Sequence, residues 1–270
     1  MRMLVLLLCL GVAVVTLADG KPQPMSPEGV VSLFNGKNLN GLTTWLADTH
    51  RTDPRGVFRV TNGMLHLSGD GDGSIATQNI YHDYHLTVEY KWGRRHEGKY
   101  VRNSGILLHA TGPEGGAGGA WPSCIECQLA QGCVGDLILI RGPDERGKEI
   151  PVSFTAETEL APDTRRHRWK QGGETKTFPP TRGQFWWSKH DWDFEELLDT
   201  RGQHDVESPV GEWTRVECIA DADSLTIKVN GETVNQVSHV SPSSGRILLQ
   251  TEGSEIYFRK FEIRPVHNQK

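Results

Sequence analysis

The chain of 270 residues carries 29 Lys and Arg against 34 Asp and Glu, which gives a formal net charge of −5. A mildly acidic chain is a poor candidate for binding nucleic acid, because that function requires concentrated basic surface. Glycine (30) and proline (14) together make up about 16% of the residues, below the roughly 25–30% that indicates disorder. The composition predicts a globular, loop-rich protein.

The N-terminus has the features of a secretory signal peptide over residues 1–18. Arg2 precedes an apolar stretch, Leu4–Leu17, and the small Ala18 closes it. The stretch is too short for a membrane span of roughly 20 apolar residues, and no later segment offers one. We therefore expect a single β-sandwich domain over residues 19–270, secreted or periplasmic, with no membrane insertion of the mature chain.

Short strands separated by turn signals follow along most of the chain. Thr61-Asn62-Gly63 is an Asn-Gly hairpin signature, and Tyr84–Trp92 alternates apolar and polar residues with a period of two. Further strand-like runs are Ser104–Ala110, Cys124–Ala130, Leu137–Ile140, Thr214–Ala220, Leu225–Val229, Arg246–Gln250 and Glu255–Ile263. Such a pattern is typical of an all-β sandwich or barrel.

Residues 142–211 differ from the rest of the chain. They are polar and contain few strand-like runs, yet they hold four tryptophans, Trp169, Trp186, Trp187 and Trp192. Irregular segments of this length inside a compact domain are usually functional loops or disordered, and the tryptophans argue against disorder. We predict an ordered insertion that covers one face of the sandwich.

Two groups of residues are candidates for a metal site or a disulfide. The mature chain keeps Cys124, Cys127, Cys133 and Cys218. Structural zinc usually needs two well-spaced ligand pairs, so a local Cys124–Cys133 disulfide or free buried thiols are the alternatives. The run His190–Asp193 offers carboxylates to a hard cation, or caps the start of a helix.

Alternation sorts the side chains of three predicted strands by face. The polar side chains opposite the apolar sets are Glu89 and Lys91, Asn103 and His109, and Glu126 and Gln128. If the three strands are neighbours, these rows converge on one face of one sheet. A solvated face of an antiparallel sheet explains polar rows equally well, but a polar face covered by the insertion would form a pocket.

Four motifs in order resemble the 3-keto-disaccharide hydrolase domain family. They are Leu33-Phe34-Asn35-Gly36-Lys37-Asn38-Leu39-Asn40-Gly41-Leu42, Asn103-Ser104-Gly105-Ile106, Ile125-Glu126-Cys127-Gln128, and Gly245–Gln250 with Ile256–Arg259. The resemblance covers about Val31 to Pro265. It implies a concanavalin-like jelly roll of two antiparallel sheets, in an exported bacterial protein that acts on glycosides oxidised at sugar carbon 3. One departure is Gln131, where we expect relatives to carry an acidic residue.

A ketone at carbon 3 acidifies the hydrogen on carbon 2, so the glycosidic bond can break by elimination. This chemistry needs a base, a stabiliser for the enolate oxygen and an acid for the leaving oxygen. We assign Glu126 or His109 as the base, and Lys91 or a bound divalent cation as the enolate stabiliser. The residues expected to bind substrate are Glu89, Asn103, Gln128, Gln250, Trp121 and one tryptophan of the insertion, for which we choose Trp187.

Other interpretations stay open at this point. The same groups could hydrate the eliminated product, or hydrolyse the bond with two carboxylates such as Glu89 and Glu126. A non-catalytic carbohydrate-binding module needs aromatic and amide contacts but no perturbed acid or base. A purely structural exported domain would have its insertion packed on the sheet with no cavity.

Overall fold

The computed structural model describes residues 22–97, 101–163, 165–178 and 183–267. The predicted signal peptide, residues 1–18, lies outside these ranges. Within these ranges, no helix has the length and apolar character of a membrane span.

The described residues form β-strands connected by turns and irregular segments. In chain order the strands are β1 (Val31–Ser32), β2 (Leu42–Leu46), β3 (Phe58–Thr61), β4 (Met64–Leu67), β5 (Gly73–Thr77), β6 (Tyr84–His96), β7 (Gly105–Thr111), β8 (Ser123–Gln128), β9 (Leu137–Ile140), β10 (Ser153–Leu160), β11 (His167–Trp169), β12 (Glu174–Phe178), β13 (Gln184–Phe185), β14 (Thr214–Asp221), β15 (Ser224–Val229), β16 (Glu232–Ser241), β17 (Arg246–Thr251) and β18 (Ser254–Pro265).

The strands build two antiparallel sheets. The seven-stranded sheet has the order β13-β9-β8-β7-β17-β5-β2. The eleven-stranded sheet has the order β11-β10-β16-β15-β14-β6-β18-β4-β3, with β1 added to β18 and β12 to β10. Neighbouring strands pair antiparallel in both sheets. The all-β fold predicted from the strand pattern and the two antiparallel sheets implied by the family resemblance are confirmed.

The main hydrophobic core lies between the two sheets. On the eleven-stranded sheet, Leu86, Val88 and Tyr90 of β6 point inward and are 0% exposed. They belong to the same buried cluster as Ile125 and Cys127 of β8 in the other sheet. Fully burying one such side chain stabilises the fold by about 1.5–3 kcal/mol. Because side chains alternate along a strand, the burial of these residues makes their neighbours point outward.

The described part of residues 142–211 is more regular than the sequence indicated, because much of it belongs to the two sheets. Four strands lie within these residues: β10, β11 and β12 extend one end of the eleven-stranded sheet, and β13 is the edge strand of the seven-stranded sheet. β10 alternates small, charged and Thr residues (SFTAETEL), a composition that hides its strand character from a search for apolar runs. The remainder, residues 188–211, is irregular.

A buried carboxyl holds this irregular segment onto β6. Glu207 is 3% exposed and accepts hydrogen bonds from the Tyr90 hydroxyl at 2.7 Å and the Trp92 indole N–H at 2.6 Å. Burial raises the pKa of Glu207 to about 8. Because the two donors satisfy this carboxyl, the segment has a fixed attachment to the core.

Candidate active site

A cavity of about 650 Å³ lies on the outer face of the seven-stranded sheet. We call it the central cavity. The side chains important for its chemistry are Asn103, Trp121, Glu126, Gln128, Gln250 and Glu252. Glu126 and Gln128 are on β8, Gln250 is on β17, and Asn103 and Glu252 flank β7 and β17. Since alternate residues of these strands fill the core, the polar set must face away from it.

Gly105 creates a gap in the row of side chains beneath the cavity. It pairs with Gln128 on one side, and the Leu249–Ile106 pairing places Gln250 on its other side. A Cβ added to Gly105 would lie 2.2 Å from Glu126 Oε1. The Glu126 carboxyl therefore lies directly over the Gly105 backbone, and only glycine permits this approach.

Glu126 is a buried acid without a hydrogen-bonding partner at one oxygen. Its residue exposure is 4%, and among the described residues no hydrogen-bonding group contacts Oε1. Burial, and secondarily the charge of Glu252, raises the pKa of Glu126 well above its ordinary value. A carboxyl in this state is neutral when an ordinary Glu is ionised, so it can donate a proton.

Glu252 supplies a second carboxyl with a different protonation equilibrium. Burial, and secondarily the charge of Asp72, raises the pKa of Glu252 to about 7. It is therefore partly ionised near neutral pH and can accept a proton. Two carboxyls in one cavity, each with a raised pKa, are the arrangement that general acid–base catalysis requires.

The amide of Gln128 has an orientation fixed by the backbone. Its Oε1 accepts hydrogen bonds from the N–H groups of Leu129 at 2.8 Å and Ala130 at 2.9 Å. The amide NH₂ of Gln128 is thereby left to donate to a ligand in the cavity. In contrast, Asn103 Oδ1 and Gln250 Oε1 are buried acceptors for which the described residues provide no donor. The cavity thus offers both donors and acceptors, as hydroxyl recognition demands.

One wall of the central cavity is apolar. Trp121 and Ile140 pack against a small cluster on the outer face of the sheet that includes Leu107 and Leu248. The Trp121 indole N–H donates to the Gly73 carbonyl at 3.0 Å, which fixes the ring. A rigid aromatic surface beside amide and carboxyl groups suits the apolar face of a sugar ring.

We expect Gly105→Ala to displace the Glu126 carboxyl and to reduce catalysis more than stability. The added Cβ cannot coexist with Glu126 Oε1 at 2.2 Å, so the Glu126 side chain must change rotamer. Overpacking of this kind costs about 1–3 kcal/mol. The measurement is turnover together with the melting temperature. Gly29→Ala is the matched control, because a Cβ there meets nothing within 4 Å. Unchanged turnover in Gly105→Ala would contradict the geometry.

The structure does not bring Glu89 and Lys91 to the cavity, so the expected convergence of all three polar rows is wrong. Both lie on β6, on the outer face of the eleven-stranded sheet, and thus on the opposite side of the sandwich. Glu89 pairs with Arg259 at 2.6 Å and Arg215 at 3.4 Å. Lys91 Nζ lies 5.1 Å from the ring centroid of Trp213. The alternation along β6 predicted correctly that Glu89 and Lys91 face outward. It does not indicate to which of the two sheets β6 belongs.

His109 is also outside the cavity, because a β-bulge reverses its direction. The register of β7 and β8 shifts between Leu108 and Thr111, and His109 has a φ of 53°. Its ring is 1% exposed, meets Tyr84 edge-on, and has Nδ1 2.9 Å from the Pro242 carbonyl oxygen. Burial lowers the pKa of His109 to about 4. An extra residue in a strand inverts the alternation beyond it, and this moved His109 inward.

Trp187 is a second expected ligand that the structure places elsewhere. It is 2% exposed within the main core, and its backbone N–H donates to Asp136 at 2.6 Å. Gln131, the departure from the family pattern, is likewise away from the cavity. Its side chain bonds the backbone N–H groups of Arg102 and Asp199 and the Asp199 carboxylate. The Gln131 substitution therefore changes no group that lines the cavity.

Four residues with polar side chains line the central cavity without having been predicted from the sequence: Arg141, Glu149, Gln184 and Glu252. Glu252 has a recognisable signal, since it follows Gln250 at the spacing of two that keeps residues on one face. Arg141 and Glu149 form an ion pair of 2.5 Å at the rim. Gln184 belongs to the two-residue strand β13, which is too short for periodicity to detect.

Cys124 and Cys127 do not form a zinc site together. Cys127 belongs to the core between the sheets, whereas Cys124 belongs to the cluster on the outer face, so they point in opposite directions from β8. All four described cysteines are buried free thiols, so the Cys124–Cys133 disulfide is not formed. The described residues hold one other cluster with metal-binding side chains, Cys133, Asp136 and His190.

A larger, open groove of about 970 Å³ lies along residues 188–204. Its acidic side chains include Asp191, which accepts a hydrogen bond from the Gln203 backbone N–H at 2.7 Å. No helix begins at the His190–Asp193 run, so the capping interpretation of that run is wrong. The central cavity is the better candidate for catalysis, because it combines two carboxyls of raised pKa with neutral amides.

The fold and the central cavity define a jelly-roll sandwich with an acidic, saccharide-sized hollow on one outer face. The model of the 3-keto-alpha-glucoside-1,2-lyase-like domain matches residues 29–264, and the chain belongs to this family. The resemblance inferred from the four motifs is thereby confirmed. A comparison with curated proteins gives no match.

Solved structures with a similar fold include two proteins of Parabacteroides distasonis provisionally assigned as glycosyl hydrolases. The first has 19% identity and a TM-score of 0.51 over 89% of this chain and 95% of its own. The second has 18% identity and a TM-score of 0.48 over 88% and 99%. A carbohydrate-binding module of Bacillus subtilis, CBM66, has 11% identity and a TM-score of 0.45 over 90% and 99%. At such identities the similarity concerns the fold alone.

Proposed function

We propose that this protein is a carbohydrate-active enzyme that cleaves 3-keto-glycosides in the central cavity by elimination. The observation that carries the proposal is the pair of carboxyls with raised pKa values, Glu126 and Glu252, in one cavity with neutral amides. Membership of a lyase-like family supports the choice of elimination. The predicted signal peptide supports action outside the cytoplasm.

In the proposed step the ionised Glu252 carboxylate removes the proton from carbon 2 of the keto sugar. The electron pair forms an enolate with the carbon-3 oxygen and then returns to make the carbon-1–carbon-2 double bond. The glycosidic carbon–oxygen bond breaks, and the neutral Glu126 carboxyl protonates the leaving oxygen. This assignment differs from the sequence-based one, in which Glu126 or His109 was the base, because the raised pKa of Glu126 favours a proton donor.

Gln128 is the residue best suited to stabilise the enolate. Its NH₂ group faces the cavity because two backbone N–H groups hold its oxygen. A donor held in place before the reaction stabilises developing negative charge without reorganisation. Asn103 and Gln250 present unpartnered oxygens that can accept hydrogen bonds from sugar hydroxyls.

We expect Gln128→Ala to lower kcat by about 10²–10³-fold, the usual cost of removing one donor to a developing oxyanion. Steady-state kinetics on a 3-keto-glucoside would measure this. Gln236→Ala is the control, because that amide bonds Thr226 on the eleven-stranded sheet, at 3.3 Å and far from the cavity. A rise in KM with unchanged kcat would assign Gln128 to substrate binding alone.

The test of the function is turnover of a 3-keto-glucoside that carries a chromogenic aglycone, with the parent glucoside as comparison. Elimination predicts aglycone release from the keto compound only, and slower release when carbon 2 carries deuterium. Equal rates for both isotopes and release from the ordinary glucoside would instead indicate hydrolysis by two carboxylates. No turnover of the keto compound would reject the enzyme.

A carbohydrate-binding module is the second candidate function. Trp121 and the amides of the cavity suit sugar binding without any chemistry. Calorimetry that detects a bound glycoside and no product would favour this candidate. The third interpretation, a structural domain whose sheet face is filled by the insertion, is wrong, because the cavity is open over that face.

A further inference from the structure

Three side chains with metal-binding atoms meet in the interior, apart from the central cavity. The Cys133 sulfur, an Asp136 carboxylate oxygen and a His190 ring nitrogen lie within 4.8 Å of one another. Their residues are 2%, 0% and 2% exposed. Donors around one tetrahedral zinc ion lie about 3.3–3.8 Å apart, given zinc–ligand bonds of about 2.0–2.3 Å. Small side-chain movements would bring these three donors to those distances.

The backbone already holds two of the three donors in one tight turn. The Cys133 N–H donates to the Ala130 carbonyl at 2.9 Å, and the Asp136 N–H donates to the Cys133 carbonyl at 3.0 Å. Gly132 and Gly135 adopt φ angles of 79° and 95° within this turn. Two ligands from one turn and a third from a distant segment are typical of protein zinc sites.

Neighbouring groups orient the Asp136 and His190 side chains. Asp136 accepts hydrogen bonds of 2.6 Å from the Trp187 backbone N–H and from the Gln184 amide. Trp186 stacks on the His190 ring at 3.7 Å between centroids, so it covers a face of the ring and not the edge that carries the two nitrogens. Such outer contacts are the usual support of metal ligands.

Asp205 is a further buried carboxylate whose charge acts on the site. Asp205 has a side chain that is only 2% exposed, and among the described residues none forms a hydrogen bond with its Oδ2 atom. The Arg201 guanidinium is 3.7 Å from this oxygen, beyond hydrogen-bonding distance. Asp205 lies close enough to His190 and to Cys133 for their charges to interact. The Asp205 Oδ2 atom therefore has an ion-pair partner but no hydrogen bond.

We propose that Cys133, Asp136 and His190 bind a zinc ion, with the Asp205 carboxylate as a supporting negative charge near the site. The mixture of thiolate, imidazole and carboxylate suits zinc better than calcium or magnesium, which prefer oxygen donors. Binding replaces the thiol proton of Cys133 and the proton shared by His190 Nδ1 and Asp136, which lie 2.9 Å apart. The zinc charge then compensates the carboxylates and thiolate that burial would otherwise penalise.

The role of this zinc is structural. It connects the turn that follows β8 to His190 of the irregular segment 188–211. That segment has few strand hydrogen bonds of its own, so a metal link would stabilise it as zinc stabilises other small loop-rich units. The inference stands apart from the proposed reaction, because none of these four residues lines the central cavity.

Cobalt(II) substitution tests the site without any substrate. The metal-depleted full-length protein, with its cysteines reduced, is titrated with Co²⁺ and its absorption recorded. We expect one tightly bound Co²⁺ with visible bands of tetrahedral geometry and a near-ultraviolet charge-transfer band from sulfur. Cys133→Ser should abolish the sulfur band, whereas the control Cys124→Ser should retain it, because Cys124 lies in a separate cluster.

Zinc itself provides the second measurement. Zn²⁺ should raise the melting temperature of the wild type, as any ligand specific for the folded state does. Asp205→Asn should weaken zinc affinity by about 10–100-fold if Asp205 supports the site. The proposal is overturned if wild type and Cys133→Ser bind Co²⁺ with the same spectrum, or if Zn²⁺ leaves the wild-type melting temperature unchanged. Neither result depends on whether the protein cleaves keto-glycosides.

Discussion

Replacing Glu126 with glutamine is expected to lower kcat/KM for a 3-keto-glucoside by about 10²–10⁴-fold, the usual contribution of a positioned general acid. The melting temperature should not fall. The raised pKa means that the native carboxyl is neutral, and glutamine keeps its shape and neutrality but has no proton to transfer. Because Oε1 of Glu126 has no donor among the described residues, the substitution breaks no hydrogen bond there.

Glu149→Gln is the matched control for this experiment. Glu149 lines the same cavity, but its side chain is 63% exposed and pairs with Arg141 at the rim. An exposed pair of this kind contributes about 0–1 kcal/mol, so the control should fold and retain most of its turnover. Full activity in Glu126→Gln would contradict the proposed acid. Equal losses in both variants would show that cavity charge, and not proton transfer, determines the rate.

An aglycone with a low pKa separates the two possible roles of Glu126 further. A good leaving group needs no proton, so the defect of Glu126→Gln should shrink as the aglycone becomes more acidic. The measurement is kcat/KM for a series of phenyl 3-keto-glucosides in wild type and variant. A defect of constant size across the series would instead make Glu126 a positioning residue.

Local periodicity was sufficient to predict the fold class and the outward-facing residues of β8. Glu126 and Gln128 alternate with Ile125 and Cys127, and the faces follow that alternation: Ile125 and Cys127 belong to the core between the sheets, whereas Glu126 and Gln128 line the central cavity. The same reasoning gave the correct face for Glu89 on β6. It could not give the sheet, because the pairing partner of a strand is a long-range property and each sheet of a sandwich has its own outward face.

The two other misplaced residues have local physical causes. His109 lies within a bulge, where the register shift between Leu108 and Thr111 breaks the alternation of faces. Trp187 lies next to Trp186 in a segment without clear periodicity, so the sequence does not indicate which way either side chain points. In the structure the backbone N–H of Trp187 donates to Asp136. Glu252, by contrast, was within reach of the sequence, since extending the alternation of β17 by two residues beyond Gln250 places it on the cavity face.

The pH dependence of wild-type kcat/KM is expected to be bell-shaped, with its ascending limb near pH 7. Glu252 must be ionised to act as the base, and its pKa is raised to about 7, so activity should fall about tenfold per pH unit below that value. The descending limb reports loss of the Glu126 proton, and the two apparent pKa values belong to the coupled pair. Initial rates at low substrate concentration across pH 5–9 (roughly the range where protein carboxyls with raised pKa values titrate) give the profile.

Glu252→Gln distinguishes this origin of the ascending limb from a general effect of pH on the fold. The variant should lose most of its activity, and its residual rate should show no rise through pH 7. Stability changes in the opposite direction: a carboxyl whose pKa is raised on folding stabilises the native state below its unfolded pKa, and this contribution disappears as pH rises through about 7. The wild type should therefore lose stability over the interval in which it gains activity, and Glu252→Gln should flatten both curves. If activity and stability instead rise together in the wild type, Glu252 is not the base.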